Sequence, residues 1–271
     1  MMSTDSITSF FSFKGKSALI TGGSSGIGAA CATLFTELGA RVAIAYHKNQ
    51  KGAEETRDKI LRNGGEAVII RADARRSAEI RAMVKSAFEW LGRIDILVNN
   101  AGHYGPVVPV EDYPLAEFDK VIAIHLRAAF LLSKLVLPEM YARKSGVILN
   151  ISSLSAKTAY AWGSAYAAAK AGMLGLTRVM AAEGARQGVR VNAICPGPVT
   201  ETQMSKELGA VLAKKMGVSA EEQLAGFLNG LLQGRAQTAD EIARAALFLC
   251  SEQSSAMTGQ SINVDGGVAF Y

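Results

Sequence analysis

The sequence predicts an α/β fold: a single doubly wound domain whose parallel seven-stranded sheet carries helices on both faces. Apolar stretches of about six residues alternate with stretches of about 10–15 of helical character, the rhythm of strand–helix–strand units with right-handed crossovers. A glycine-rich turn, Gly22-Gly23-Ser24-Ser25-Gly26-Ile27-Gly28, joins the first apolar stretch to the first helix. Nothing in the 271 residues reads as a linker, an internal repeat or a second domain.

In order, residues 1–13 are expected to be a tail and 14–271 the domain. Lys16–Thr21 suits a buried strand, and Ala29–Leu38 is an Ala- and Leu-rich helix. Arg41–Tyr46 reads as a second strand, and Lys51–Arg62 as a charged helix that stops at Asn63-Gly64-Gly65. Glu66–Ala72 is the third strand, and Ser77 is placed to cap a helix running to Leu91. Ile94–Val98 is the fourth, followed by a long helix from Leu115 to Tyr141 that Pro138 bends or ends. Val147–Ser152 and Val189–Cys195 are strands on either side of the helix that carries Tyr166. Residues 202–234 read as a helical insertion that closes the substrate pocket, Asp240–Cys250 as a helix and Ser261–Val264 as the last strand.

The charge balance, 29 Lys and Arg against 24 Asp and Glu, is mildly basic, and no basic cluster exceeds a pair. That argues against a nucleic-acid partner. No signal peptide and no uninterrupted apolar run of 18 residues is present, so neither export nor a membrane partner is expected and the location is read as cytoplasmic. Cys31, Cys195 and Cys250 lie far apart without ligand spacing, which suits buried thiols and no metal site.

Tyr166 and Lys170 are four apart in an Ala-rich helical stretch, hence one above the other on one face. An ammonium beside a phenol favours the phenolate, which would lower the phenol's pKa toward neutrality and let it exchange protons with an alcohol or carbonyl oxygen. The turn at Gly22, Gly26 and Gly28 lies where a strand gives way to a helix, as a dinucleotide pyrophosphate requires. Where a bare ribose hydroxyl is met by a carboxylate after the second strand, this chain has Tyr46, His47 and Lys48. Cationic groups there favour a 2′-phosphate, so NADP is expected, with NAD possible.

From about Gly15 to Gly267 the chain resembles the short-chain dehydrogenase/reductase family. The matching pieces are Thr21 to Gly28, Asp73, Asn99-Asn100-Ala101-Gly102, Ser153, Tyr166, Lys170, Pro196-Gly197 and Val264-Asp265-Gly266-Gly267, with Ser153 preceding Tyr166 by 13 positions. The resemblance implies a Rossmann-type cofactor fold with Ser24, Ser25 and Ile27 in the phosphate turn. It implies Tyr166 as general acid or base, Lys170 as its modulator and a holder of the nicotinamide ribose, and Ser153 as donor to the substrate oxygen. Asp73 and Ala74 would meet the adenine, Asn99 to Gly102 the adenine-side ribose, and Pro196, Gly197, Val199 and Thr200 the nicotinamide.

The chain departs from the family pattern at two places. His125 falls where the family has an Asn that supports a proton-relay water, and is taken as a fourth catalytic candidate. Glu201, between Thr200 and Thr202, replaces the family's threonine, which leaves open which Thr meets the carboxamide. His103-Tyr104, residues 154–162 and the insertion, with Met204, Leu208, Leu212, Met216, Phe227 and Leu231, should close the pocket. The leading expectation is a reductase of ketones or aldehydes, similar to 3-oxoacyl-carrier-protein reductases. The alternatives are an NAD-dependent polyol, sugar or hydroxy-acid dehydrogenase, or an inactive dinucleotide-binding regulator. The resemblance also implies a homotetramer or homodimer paired through the long helices.

Overall fold

The computed structural model describes residues 11–271. Seven parallel strands form one sheet in the order β3-β2-β1-β4-β5-β6-β7. They are β1 (Ser17–Thr21), β2 (Arg41–Tyr46), β3 (Glu66–Arg71), β4 (Ile96–Asn99), β5 (Gly146–Ile151), β6 (Val189–Pro196) and β7 (Ser261–Val264). The central strand β1 is buried at all five positions and pairs with both β2 and β4, Ala18 lying between Val42 and Ile96. A strand covered on both faces must be apolar on both, which is why SALIT is a continuous run rather than an alternation.

The helices divide between the faces. Helix α1 (Gly26–Glu37) brings Cys31, Ala32 and Phe35 to one core, joined by Ile242, Ala246 and Leu249 of α9 (Ala239–Cys250). On the opposite face α3 (Ser77–Leu91) contributes Ile80, Met83 and Val84, and α5 (Ala128–Arg143) contributes Leu132, Val136 and Met140. Helix α2 (Gln50–Arg62) flanks β2 and β3, while α6 (Ser164–Gly184) packs on β6. The insertion folds as two helices, α7 (Gln203–Met216) and α8 (Ala220–Asn229). All three cysteines are free and buried.

The structure corrects several boundaries. Helix α1 begins at Gly26, and β4 begins at Ile96, two residues after the expected start. Phe13, placed in the tail by the sequence, is 2% exposed and packs edge-on against Phe35 at 4.9 Å; residues 1–10 lie outside the described residues. Pro138 sits inside α5 without ending it. The break in the long helix comes earlier: α4 (Leu115–Ile122) and α5 are joined by a π-helical turn at Ala123–Arg127, which contains His125. The whole segment, Leu115–Arg143, is long and apolar enough to cross a membrane, yet half of its most apolar window is buried inside the domain against α3 and the sheet.

Phe13 closes the end of the α1 core, so Phe13→Ala is expected to lower unfolding stability by about 3–5 kcal/mol, as large-to-small changes at buried phenylalanines do. Urea denaturation followed by circular dichroism measures it; a loss below about 1 kcal/mol would return Phe13 to the tail.

Candidate active site

The strand order reverses between β1 and β4, and ligands of such sheets bind beyond the carboxyl ends at that point. The glycine turn stands there. Gly22 and Gly26 have φ of +66° and +53°, and a Cβ on Gly22 would meet the Ala101 backbone at 2.9 Å. Thr21 Oγ1 accepts from the Asn100 and Ala101 N–H groups, and Asn100 Nδ2 donates to the Thr21 and Gly22 carbonyls. The two strand ends are thus sewn together without side chains filling the turn.

Helices α2, α7, α8 and α9 are capped by the side chains of Asn49, Thr202, Ser219 and Thr238. Ser25 makes no such bond at α1, and the first turn of α1 has no acidic residue. Its N–H groups and positive dipole end are therefore left to an external anion, which fits a pyrophosphate.

At the ends of β2 and β3, Asp73 is nearly buried and is held by Arg75, whose Nε and Nη2 donate to its carboxylate at 2.9 and 2.7 Å. That guanidinium holds the carboxyl well below its usual range. His47 Nε2 lies 3.7 Å from Asp73, Lys48 is exposed, and Ala74 is buried beside them. Arg75 was not among the candidates from sequence; its only signal was its position two residues after Asp73.

Ser153, Tyr166 and Lys170 come together at the end of β5 and the start of α6. Tyr166 is 9% exposed, and the Ser153 side chain lies close enough to its phenol to act on its pKa. Lys170 Nζ donates to the Ile151 carbonyl at 2.6 Å and lies 5.5 Å from the Tyr166 ring centre. The expected lowering of the phenol's pKa is not what this arrangement produces. Burial pushes Tyr166 up to about 12, opposed by the Ser153 hydrogen bond, and pushes Lys170 down to about 7. Both charged forms lose water, and neither Ser153 beside the phenol nor Cys195 beside the lysine outweighs that desolvation. Cys195, expected from sequence as a buried thiol, is fully buried and lies near this pair.

His125 packs its ring edge-on to Tyr166 at 5.2 Å and fills the space a Cβ on Gly102 would need. Its Nε2 is 2.8 Å from the His103 carbonyl and 3.3 Å from the His103 N–H. Taking the shorter contact as the hydrogen bond makes Nε2 the donor, and Nδ1 is then a buried lone pair without a partner among the described residues. Burial, and secondarily the Lys170 charge, hold this imidazole's pKa well below its ordinary value. Asn99 Nδ2 donates to Asn150 Oδ1, and Asn150 Nδ2 to Thr177, a chain that ties β4 through β5 to α6.

Beyond β6, a Cβ on Gly197 would collide with Gln237 and the Asp265 backbone, and Val199 is buried. Thr202 is committed to its own turn, donating to the Val199 carbonyl and accepting from the Ser205 N–H. Glu201 accepts from the Ala239 N–H at the start of α9. The Thr200 hydroxyl has no hydrogen bond among the described residues. In the insertion, Met204 packs against the Tyr166 cluster, whereas Met216, expected in the lid, is 56% exposed.

The chain matches the model of the Enoyl-(Acyl carrier protein) reductase family over residues 22–269. It is 40% identical over 258 residues to an uncharacterized oxidoreductase of Thermotoga maritima, covering 94% of this chain and 98% of the other. Actinorhodin polyketide ketoreductase with NADPH superposes with a TM-score of 0.90 at 32% identity, covering 94% of this chain and 98% of that one. NAD+-bound xylitol dehydrogenase superposes with a TM-score of 0.89 at 30% identity, covering 94% and 99%.

With only three histidines in the chain, ¹⁵N spectra of the imidazoles resolve His125 directly. Its folded-state pKa is depressed, so the ring is expected to stay neutral with the proton on Nε2 as pH falls through 6.5. Protonation near that pH, or a proton on Nδ1, would contradict the assigned hydrogen bond.

Proposed function

Because the chain belongs to the short-chain dehydrogenase/reductase family, oxidoreductases acting on alcohol and carbonyl groups, we propose that it reduces a ketone or aldehyde with NADP(H). The observation that carries this reading is the buried, neutral phenol of Tyr166, with Ser153 and Lys170 beside it. The nicotinamide, when bound, supplies the hydride to the carbonyl carbon. Tyr166 Oη gives its proton to the carbonyl oxygen, and the Ser153 hydroxyl donates a hydrogen bond to that oxygen as charge builds on it. A phenol that burial keeps protonated is in the correct state for this direction. Lys170, with a pKa about 7, holds a proton that can return to the phenolate.

The turn from Gly22 through Ser24, Ser25, Gly26 and Ile27 to Gly28 would hold the pyrophosphate. Lys170 would also hold the nicotinamide ribose and Thr200 the carboxamide, since Thr202 and Glu201 are occupied elsewhere. Asp73, Ala74 and Asn99 to Gly102 would frame the adenosine, with His47 and Lys48 beside the 2′-phosphate. A second reading, NAD with an alcohol substrate, is favoured by one feature: Asp73 already faces His47 and offsets part of its charge. A homodimer or homotetramer in the cytoplasm is proposed as well. Phe130 on α5 and Val179 on α6 are half exposed and offer the apolar faces for pairing.

Tyr166→Phe is expected to cut turnover of a carbonyl panel by about 10²–10⁴-fold with cofactor affinity unchanged, measured by NADPH absorbance and fluorescence titration. Retained turnover removes Tyr166 from its role. In the same titration NADPH should bind at least about tenfold more tightly than NADH, a difference of about 1.4 kcal/mol. Equal affinities would defeat the 2′-phosphate reading and support the second.

A further inference from the structure

The space in front of Tyr166 has an aromatic wall. Tyr104 stacks on Tyr166 with ring centres 4.8 Å and planes 28° apart. Its hydroxyl end occupies the place a Cβ on Gly163 would take, so the glycine makes room for the ring. Tyr160, from the loop before α6, meets Phe227 of α8 edge to face at 6.2 Å. Trp162 in the same loop lies beneath the Lys215 ammonium of α7 at 5.4 Å. It keeps a left-handed φ of 68°, a strained conformation for a bulky side chain. Met204, at the start of α7, packs with Tyr104 on the cluster that contains Tyr166. Loop and insertion are thus tied to each other by ring contacts.

Among the described residues, no cation is seated over the rings of Tyr104, Tyr160 or Phe227. Lys157 donates to the Ser261 and Tyr271 carbonyls at 3.0 and 2.6 Å, and Lys215 is engaged with Trp162. On the insertion the half-buried side is apolar, with Met204, Leu208, Leu212, Phe227 and Leu228, while Lys206, Lys214 and Lys215 are exposed. A carboxylate seated against those three rings would lose its water and gain no partner there. An apolar ring loses no such partner and gains from being covered.

Building on the carbonyl-reductase reading above, we propose that the substrate is an uncharged, apolar cyclic ketone or its secondary alcohol. Its ring lies along Tyr104 with the oxygen toward Tyr166 and Ser153, and Tyr104 sets the size that is accepted. Replacing Tyr104 by Ala widens the space directly. Gly163→Ala moves the same ring, because Gly163 has an ordinary φ of −117° and its new Cβ would displace the Tyr104 hydroxyl.

The experiment compares kcat/KM for cyclohexanone, 4-tert-butylcyclohexanone and 4-oxocyclohexanecarboxylate with NADPH and with NADH. The wild type should favour cyclohexanone over the carboxylate by about a hundredfold or more, Tyr104→Ala should raise the tert-butyl-to-parent ratio at least about tenfold, and Gly163→Ala should shift that ratio. Tyr104→Phe should keep the wild-type ratio. Equal or faster turnover of the carboxylate, or a ratio unmoved in both alanine variants, overturns the proposal while leaving the oxidoreductase reading intact. Failure of the wild type on every ketone with either cofactor overturns both.

Discussion

Two ionisable side chains, Tyr166 and Lys170, are buried side by side with no opposite charge to meet them, and the site is organised around that cost. Their neighbours are neutral: the Ser153 hydroxyl on the phenol, the Ile151 carbonyl on the ammonium, and Ser152 donating to the Lys170 carbonyl at 2.9 Å. Such surroundings satisfy hydrogen bonds without stabilising ions, so phenol and amine are both pushed toward their uncharged forms. A lysine brought near 7 and a phenol kept protonated make a proton donor with a source behind it. The helix spacing of four supplies the geometry, and desolvation supplies the chemistry.

His125 belongs to the same economy of neutral contacts. The π-helical turn shifts the phase of the long helix and presents the imidazole beneath Gly102, where only a glycine leaves room. From there the ring supports both Tyr166, through its edge, and the segment after β4, through the His103 carbonyl. That segment continues into Tyr104, which covers another face of the phenol. One side chain therefore braces the catalytic ring directly and through the loop that closes over it.

Most of the fold was legible because a fully buried parallel strand must be apolar along its whole length; β1 and nearly all of β2 were readable for that reason. The glycine turn, Tyr166 and Lys170 were legible because their spacing is demanded by a strand–turn–helix or by one helix face, whereas Ser153 was legible through the family resemblance. What escaped depended on distance in sequence. Phe13 reads as part of a polar tail until Phe35 is placed beside it. The π turn has no local signature in AIHLR. Arg75 gains meaning only when Asp73 is seen to need a counter-ion, and the pKa of Tyr166 depends on burial, which a lysine four residues away does not report.

The sheet order has a consequence for how the site comes into being. Strand β1 pairs with β4, Ala18 with Ile96, and the glycine turn is secured by Thr21 and Asn100 across 79 positions of chain. Contacts so distant in sequence close late, after the intervening strands and helices have been made. On the ribosome, the nucleotide-binding turn would remain unfinished until the fourth strand had emerged. A dinucleotide that recognises this turn thus recognises a chain already wound in its native order, and ignores one still being assembled.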